Sequence, residues 1–378
     1  MLINFGLLTA WALNQRALGP SSSLTGQTFY EREKAARSDN DASSKRGLKL
    51  LAFDDGGARG LSMLLILRNM MREVQQLSQE PGRPCEYFDL IAGSGTGGLL
   101  ALLIGRLRLT MDEAIECYTR LVERVFLRTK AGRFRDAPLE EILREICYHF
   151  GDGSDTQMLG QRGPLCKTFV CVREKDPYGT LHARRLRTYN HPAEPSFQCT
   201  IVEAVRATMG NPAFFGPPTL SNELGISTTF TDAGDDRYNP AFDLYEEAQS
   251  LFPSRNVAYF VSLGAGRADT IDATPPRGLM HQPRLPLTCL TVMAHLAARC
   301  DAIAEQFLRE HPGLEKVYYR FTHDQGSVDG KMAQWEQVDT LKEFLKPYFI
   351  SVDKVAWALE SKMMGERKAE LAARRGSW

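Results

Sequence analysis

A three-layer α/β/α fold with a mostly parallel central sheet and a helical C-terminal extension is predicted by two features of this 378-residue sequence. Short apolar runs of strand length alternate with longer amphipathic runs of helical period, an order typical of parallel sheets covered by helices on both faces. From Thr288 onward the pattern is mostly helical, with a strand-like run at 316–321. We predict a disordered leader over residues 1–47, a core domain over 48–270, and a mostly helical part over 271–378 that packs on or continues that domain.

Composition and charge narrow the class of protein. Lys and Arg together number 46, as do Asp and Glu, and this balance gives no reason to expect a nucleic-acid partner. The eight cysteines are scattered without metal-ligand spacing, which indicates free thiols in a reducing compartment. The apolar run at 1–13 is short and follows no basic residue, unlike a signal peptide. We therefore expect a cytoplasmic protein, in peripheral contact with membranes at most, and not a secreted one.

A glycine cluster between a strand and a helix is the central motif. The apolar run Tyr87–Ala92 predicts a buried strand, and an apolar helical run opens at Leu99. The intervening Gly93-Ser94-Gly95-Thr96-Gly97 fits the frame of a Gly-x-Ser-x-Gly nucleophile elbow, whose strained turn exposes one reactive side chain. In that frame, Gly95 stands at the position of the nucleophile.

Two more stretches follow predicted strands. The strand Leu48–Phe53 runs into Asp54-Asp55-Gly56-Gly57-Ala58-Arg59-Gly60 and then a helix. A glycine-rich turn before a helix directs backbone N–H groups at a phosphate or a developing oxyanion. A shorter strand at 228–231 delivers Asp232-Ala233-Gly234.

Together these three stretches resemble the patatin-like phospholipases. The resemblance implies a patatin-like fold and a serine–aspartate dyad that hydrolyses acyl esters of phospholipids or acylglycerols, without metal or cofactor. Asp232 would be the base and Arg59 a cation that supports the oxyanion loop. The remaining positions carried over are the loop residues Asp55, Gly56, Gly57 and Gly60 and the elbow glycines Gly93, Gly97 and Gly98.

Two departures from the family pattern predict weak or absent hydrolysis. The nucleophile position is Gly95, which has no hydroxyl, and Asp55 replaces the first glycine of the oxyanion loop. A carboxylate about 4 Å from a developing oxyanion would raise its energy by about 4 kcal/mol at an effective dielectric constant near 20. Two functions stay open: a catalytically dead lipid-binding or regulatory protein, and a residual hydrolase that uses Ser94 or a positioned water with Asp232 as base.

The glycine cluster at 93–98 also matches the Gly-x-Gly-x-x-Gly fingerprint of dinucleotide-binding proteins. That interpretation requires an acidic residue at the end of the next strand. At that distance Asp112 and Glu113 instead belong to a helix-capping pattern that begins at Thr110, which argues against a dinucleotide site. Arg184, Arg185 and Arg187 lie close together on another predicted strand, where they would contact phospholipid headgroups or form a solvated strand edge.

Overall fold

The computed structural model describes residues 47–78, 82–126, 129–130, 133–160, 166–221, 225–267, 287–322 and Met363. The leader predicted over 1–47 lies outside these residues, apart from Gly47. Of the part predicted over 271–378, only 287–322 and Met363 are described. Within the described residues, no helix has both the length and the hydropathy needed to cross a bilayer.

A central eight-stranded sheet organises the described chain, and its largest part is parallel, as predicted. β10, β9, β1, β2 and β5 are parallel neighbours in that order. β6, β7 and β8 join this sheet as antiparallel strands, while β3 and β4 form a separate pair. The strands are β1 (Leu48–Phe53), β2 (Leu90–Ser94), β3 (Thr129–Lys130), β4 (Arg133–Phe134), β5 (Lys167–Lys175), β6 (Leu181–Arg187), β7 (Thr219–Ser221), β8 (Ser227–Thr231), β9 (Val257–Gly264) and β10 (Tyr318–Thr322).

Helices cover both faces of the sheet, which gives the three predicted layers. On β1, Leu48 and Leu50 pack into one apolar cluster with Leu244, while Leu51 and Phe53 pack into another with Met63. Because successive side chains on a strand point to opposite faces, this alternation accounts for a strand that is apolar throughout. The helices are α1 (Gly60–Ser78), α2 (Thr96–Ala101), α3 (Met111–Leu121), α4 (Asp136–Phe150), α5 (Ile201–Thr208), α6 (Ala241–Leu251) and α7 (Leu287–Glu310).

The bounds around the central motif differ from the prediction by a few residues. β2 begins at Leu90 rather than at Tyr87, because the chain first makes a 3-10 turn at Pro84–Glu86 and buries Tyr87 without pairing it along the sheet. α2 begins at Thr96 rather than at Leu99, so its first turn contains two glycines. The glycine cluster is therefore part of the helix as well as of the turn.

The register of β5 brings two chain segments together at the top of the sheet. β2 ends where Ser94 is level with Cys171, whereas β5 continues to Lys175. β6 pairs with one edge of β5 from Phe169 to Lys175, so β8 pairs with the other edge beyond the end of β2. β8 runs downward to Thr231, level with residue 173. The residues that follow β2 and β8, Gly95 and Asp232, therefore approach each other from opposite directions.

Candidate active site

The turn between β2 and α2 has the backbone of a nucleophile elbow. Gly95 has φ 54° and ψ −124°, a conformation that residues with a side chain rarely adopt. The turn is also tight, because a Cβ on Gly93 would overlap the carbonyl of Gly97, and one on Gly97 would overlap the carbonyl of Asp54. A hydroxyl of Thr208 accepts the Gly95 N–H at 2.9 Å and holds the turn against β5. The elbow is formed in full and carries only a hydrogen at its apex.

The side chain of Asp55 occupies the space that a residue with a side chain at the elbow would need. An ideal Cβ built on Gly95 would overlap the carboxyl carbon and both carboxyl oxygens of Asp55. Asp55 itself is buried, 6% exposed. Since two groups cannot fill one volume, the present positions of Asp55 and Gly95 depend on each other.

The same carboxylate accepts hydrogen bonds from backbone donors of both glycine-rich turns. Its Oδ1 lies 3.2 Å from the N–H of Thr96, just after the elbow, and 3.3 Å from the N–H of Gly57 in the loop after β1. The Thr96 hydroxyl also donates to Oδ1 at 3.2 Å and accepts the Gly56 N–H at 3.2 Å. N–H groups from these two turns are the donors that form an oxyanion hole in hydrolases with this kind of elbow. In this protein an internal anion fills that position.

Burial dominates the ionisation of Asp55. Removal from water raises the pKa of this carboxyl from 3.8 to about 6, although the hydrogen bonds from Thr96 and Gly57 act in the opposite direction. The charge of Asp232 adds to the increase. An unfolded chain therefore releases this proton at lower pH than the folded chain does.

Replacing Asp55 by asparagine is expected to stabilise the protein at neutral pH. Between about pH 4 and 6 the native state holds a proton that the unfolded state has lost, so the free energy of unfolding falls as pH rises through this window. A shift from 3.8 to about 6 corresponds to about 3 kcal/mol at pH 7 and above. Asparagine does not titrate, and its Oδ1 can still accept both backbone N–H groups.

Urea unfolding of the wild type and Asp55→Asn across this pH range measures the difference. We expect the free energy of unfolding of the variant to exceed that of the wild type by an amount that grows as pH rises. Below about pH 4 the two values should differ little. A stability difference that is constant with pH would contradict the assignment of a buried, late-titrating carboxyl to Asp55.

Asp232 lies immediately after β8 and is buried. Its Oδ1 accepts from Arg173 Nη2 at 2.8 Å, and its Oδ2 accepts from Asn211 Nδ2 at 2.7 Å and from the Tyr238 hydroxyl at 3.0 Å. Tyr238 also links Asp232 to the backbone of Asp55, because its carbonyl accepts the Asp55 N–H at 2.8 Å. The carboxylate is held in one orientation by donors outside the elbow.

Comparison with known proteins agrees with this geometry. The family model described as patatin-like phospholipase matches residues 51–244, which include both glycine-rich turns and Asp232. The chain belongs to the patatin-like phospholipase family.

The similar proteins include some named as phospholipases and one named as probably inactive. The chain is 30% identical over 242 residues to calcium-independent phospholipase A2-gamma of Oryctolagus cuniculus, an alignment that covers 60% of this chain and 29% of the relative. It is 25% identical over 243 residues to the cGAMP-activated phospholipase of Vibrio cholerae (59% and 64% covered) and 25% identical over 280 residues to the probable inactive patatin-like protein 9 of Arabidopsis thaliana (68% and 70% covered). The chain thus spans under a third of the phospholipase A2-gamma sequence.

The remaining residues of the patatin-like oxyanion loop are held by contacts to distant strands. Arg59 is buried and donates to the carbonyls of Arg267 at 3.3 Å and Gly266 at 3.5 Å, just after β9. Burial lowers the pKa of this guanidinium to about 10. Asp54 Oδ2 accepts from Arg320 Nη2 of β10 at 2.6 Å. Gly60 begins α1, so the loop passes directly into that helix.

Ser94 points away from the patatin-like site. It is the last residue of β2 and is fully buried. Its hydroxyl donates to the carbonyl of Arg237 at 2.6 Å. The structure therefore does not bring Ser94 Oγ together with Asp232, although the two residues are close along the sheet.

Several residues of this site were not singled out by the sequence. Arg173, Asn211 and Tyr238 orient Asp232, and Thr208 holds the elbow. Thr208 and Tyr238 lie in two further stretches that resemble the family, 203–208 and 238–240, but their positions there did not indicate a role. Arg173 lies on a strand and Asn211 in a loop, where polar residues are ordinary. Within the described residues, no group of three or more His, Cys, Asp or Glu side chains is arranged to hold a metal ion.

The arginines of β6 differ from both expectations. Arg185 Nε lies 2.8 Å from Asp243 Oδ1, and Arg187 Nη2 lies 2.7 Å from Glu247 Oε2, so both arginines pair with carboxylates of α6. Arg187 is buried and Arg185 is partly buried. The predictions of headgroup contact and of a solvated edge are therefore wrong for these two residues. Arg184 is partly exposed and pairs with Glu174.

Proposed function

We propose that this chain is a patatin-like domain that binds the acyl part of a phospholipid or acylglycerol and does not carry out serine-type hydrolysis. One observation carries the proposal: the Asp55 carboxyl fills both the volume of a nucleophile at the elbow and the position of the oxyanion. The family and the names of its relatives support a lipid ligand.

The physical argument concerns the tetrahedral intermediate of acyl transfer. Loss of one oxyanion donor typically lowers kcat by about 100- to 1000-fold. In this site the N–H groups of Gly57 and Thr96 are both engaged by an internal carboxylate, and the elbow offers no attacking atom. An ester bound here meets neither a nucleophile nor free donors for the negative charge.

The residual-hydrolase alternative has less support. With Ser94 as nucleophile, it requires the Ser94 hydroxyl to reach the ester carbonyl and to transfer its proton to Asp232; with a positioned water, it still requires donors for the negative charge, and those of Gly57 and Thr96 are engaged by Asp55. That hydroxyl is buried and donates to the carbonyl of Arg237. The side chains of Arg173, Asn211 and Tyr238 donate hydrogen bonds to the Asp232 carboxylate, whereas the Ser94 hydroxyl donates elsewhere.

The wild-type protein is expected to bind a dansyl-labelled fatty acid saturably, to leave p-nitrophenyl butyrate unhydrolysed above the protein-free rate, and to remain unlabelled by a fluorophosphonate probe. Ser94→Ala should behave the same in all three measurements, because its hydroxyl faces away from the site. Fluorescence titration, absorbance and gel fluorescence provide the readouts.

Two outcomes would count against this proposal in different ways. Probe labelling of the wild type that disappears in Ser94→Ala would support the residual hydrolase. A folded wild type that does not bind the labelled fatty acid would remove the lipid-binding function while leaving the loss of hydrolysis intact.

A further inference from the structure

Three of the four large apolar side chains that are exposed in the described residues lie at one end of the sheet. They are Tyr178, Leu181 and Ile226, exposed by 94%, 41% and 58%. The fourth, Tyr148, is 68% exposed and lies near the end of α4. We refer to Tyr178, Leu181 and Ile226 as the distal patch.

The strand register places the distal patch at the same end of the sheet as the elbow, where the parallel strands have their carboxyl ends. Ser94, at the end of β2, is level with Cys171, and β5 continues from there to Lys175. At 3.3 Å per residue, β5 extends roughly 13 Å past the end of β2 before its hairpin begins. Tyr178 lies in that hairpin and Leu181 opens β6.

Ile226 reaches the same end from the other side of β5. It directly precedes β8, and Thr229 of that strand is level with Lys175. From this end β8 runs back toward Asp232. The distal patch and Asp232 are thus at opposite ends of one short strand, and the patch projects beyond the candidate site.

The hairpin holds Tyr178 outward through hydrogen bonds of its own. Asp176 Oδ1 accepts the N–H groups of Tyr178 at 2.9 Å and Thr180 at 2.8 Å, and its Oδ2 contacts His182 Nε2 at 2.9 Å. Gly179 provides the positive φ of 91° that the turn requires. A hairpin ordered in this way loses little conformational entropy when its tip binds a surface.

Charges around the distal patch are compatible with phosphate groups. Glu174 pairs with Arg184 at 3.4 Å, and Asp176 Oδ2 lies within hydrogen-bond distance of His182 Nε2 at 2.9 Å, so both nearby carboxylates are engaged by neighbouring side chains. Lys175 is exposed beside them. Tyrosine, with an apolar ring and a polar tip, is typical of the boundary between lipid and water.

The size of the patch distinguishes between occupants. A stable protein interface buries about 1,200 Å² or more in total. Three side chains, of which the aromatic one buries roughly 150–250 Å², supply much less than that. A bilayer needs no shape complementarity and accepts a few inserted apolar side chains.

We propose that the distal patch docks this protein on the surface of a phospholipid bilayer. In this orientation, the end of the sheet that carries the elbow faces the lipid. This inference rests on the proposed function, because a lipid-binding site gains from an orientation in which acyl chains can reach it directly from the membrane.

Co-sedimentation of the full chain with phosphatidylcholine vesicles tests the docking surface. The double variant Tyr178→Ser/Leu181→Ser is expected to reduce the vesicle partition coefficient at least about tenfold, because each lost apolar side chain removes buried area. The control is Tyr148→Ser, which removes another exposed tyrosine side chain, away from the distal patch, and should stay within about twofold of the wild type. All three proteins keep residues 1–46, so any contribution of that segment cancels. Thermal unfolding by circular dichroism checks that both variants are folded.

Three results would overturn the proposed docking surface. The wild type could fail to bind the vesicles, the patch variant could bind as well as the wild type, or Tyr148→Ser could lower the partition coefficient as much as the patch variant does. Self-association of the wild type in sedimentation velocity that disappears in the patch variant would assign the patch to a second copy instead. Binding of monomeric dansyl-labelled fatty acid, measured in parallel, separates the two proposals. Its retention in the patch variant restricts the defect to docking, and its absence in the wild type counts against the proposed function alone.

Discussion

A chain that carries both Asp55→Gly and Gly95→Ser is expected to hydrolyse p-nitrophenyl butyrate at least about a hundredfold faster than the wild-type protein. The first change removes the carboxyl that overlaps the elbow side chain and frees the N–H groups of Gly57 and Thr96. The second change places a hydroxyl on a turn that already has φ 54°. Asp232, which approaches from β8, is available as the base.

Each single change should fail for its own reason. Gly95→Ser alone forces a side chain into the volume of the Asp55 carboxyl, which is expected to lower the free energy of unfolding by about 1–3 kcal/mol beyond the strain of the turn. Asp55→Gly alone frees the donors without supplying a nucleophile. The destabilisation by Gly95→Ser should therefore be smaller in the Asp55→Gly background, a coupling that a double-mutant cycle of urea unfolding measures.

Adding Asp232→Asn to the double variant provides the control for mechanism. It should return hydrolysis and fluorophosphonate labelling to the level of the wild type, since asparagine cannot take the proton of the hydroxyl. A double variant that is folded but inert, or one whose activity survives Asp232→Asn, would show that the elbow and Asp232 do not form the dyad that the family pattern implies.

Glu247→Gln is expected to lower the free energy of unfolding by about 3 kcal/mol or more. This is the largest destabilisation that we expect when a charged side chain is replaced by an uncharged one of the same shape. Glu247 is fully buried and accepts from Arg187 Nη2 at 2.7 Å, the Tyr189 hydroxyl at 2.6 Å and Arg185 Nη1 at 3.1 Å. Glutamine keeps the shape but removes the charge that balances a buried guanidinium and turns an NH₂ group toward its donors.

The neighbouring Glu246→Gln is a matched control. Glu246 pairs with the same Arg185, but its side chain is 61% exposed, so its loss should change the free energy of unfolding by less than about 1 kcal/mol. Urea unfolding of the two variants gives the comparison. Equal effects would mean that burial of the Glu247 network contributes nothing beyond an ordinary surface ion pair.

Local signals in the sequence were enough to predict much of the fold. The strand Leu48–Phe53 has the predicted bounds, because an unbroken apolar run ends at acidic and glycine residues. The capping pattern at Thr110 forms as predicted, with Thr110 and Glu113 bonding each other's backbone N–H groups. The three segments that resembled the family also converge at one end of the sheet. β1 and β2 end there, and β8 ends close by after running in the opposite direction.

Contacts between distant segments set the features that the sequence did not predict. The position of the Asp55 carboxyl depends on the empty volume at Gly95. That volume depends on the packing of two turns that lie 40 residues apart in the sequence. The burial of Arg185 and Arg187 depends on carboxylates of α6 that lie about sixty residues further along the chain. Periodicity on β6 alone cannot distinguish a solvated edge from a strand covered by an oppositely charged helix.

The ion pair between Asp54 and Arg320 sets a limit on how short this protein can be made. The two residues are 266 positions apart, and the stretch that matches the family model ends at residue 244. A polypeptide that ended at residue 244 would lack β9 and β10, and one side of β1 would be unpaired. The buried carboxylate of Asp54 would also lack the positive charge of Arg320. The smallest autonomous unit that keeps the glycine-rich loop in place must therefore reach at least Thr322.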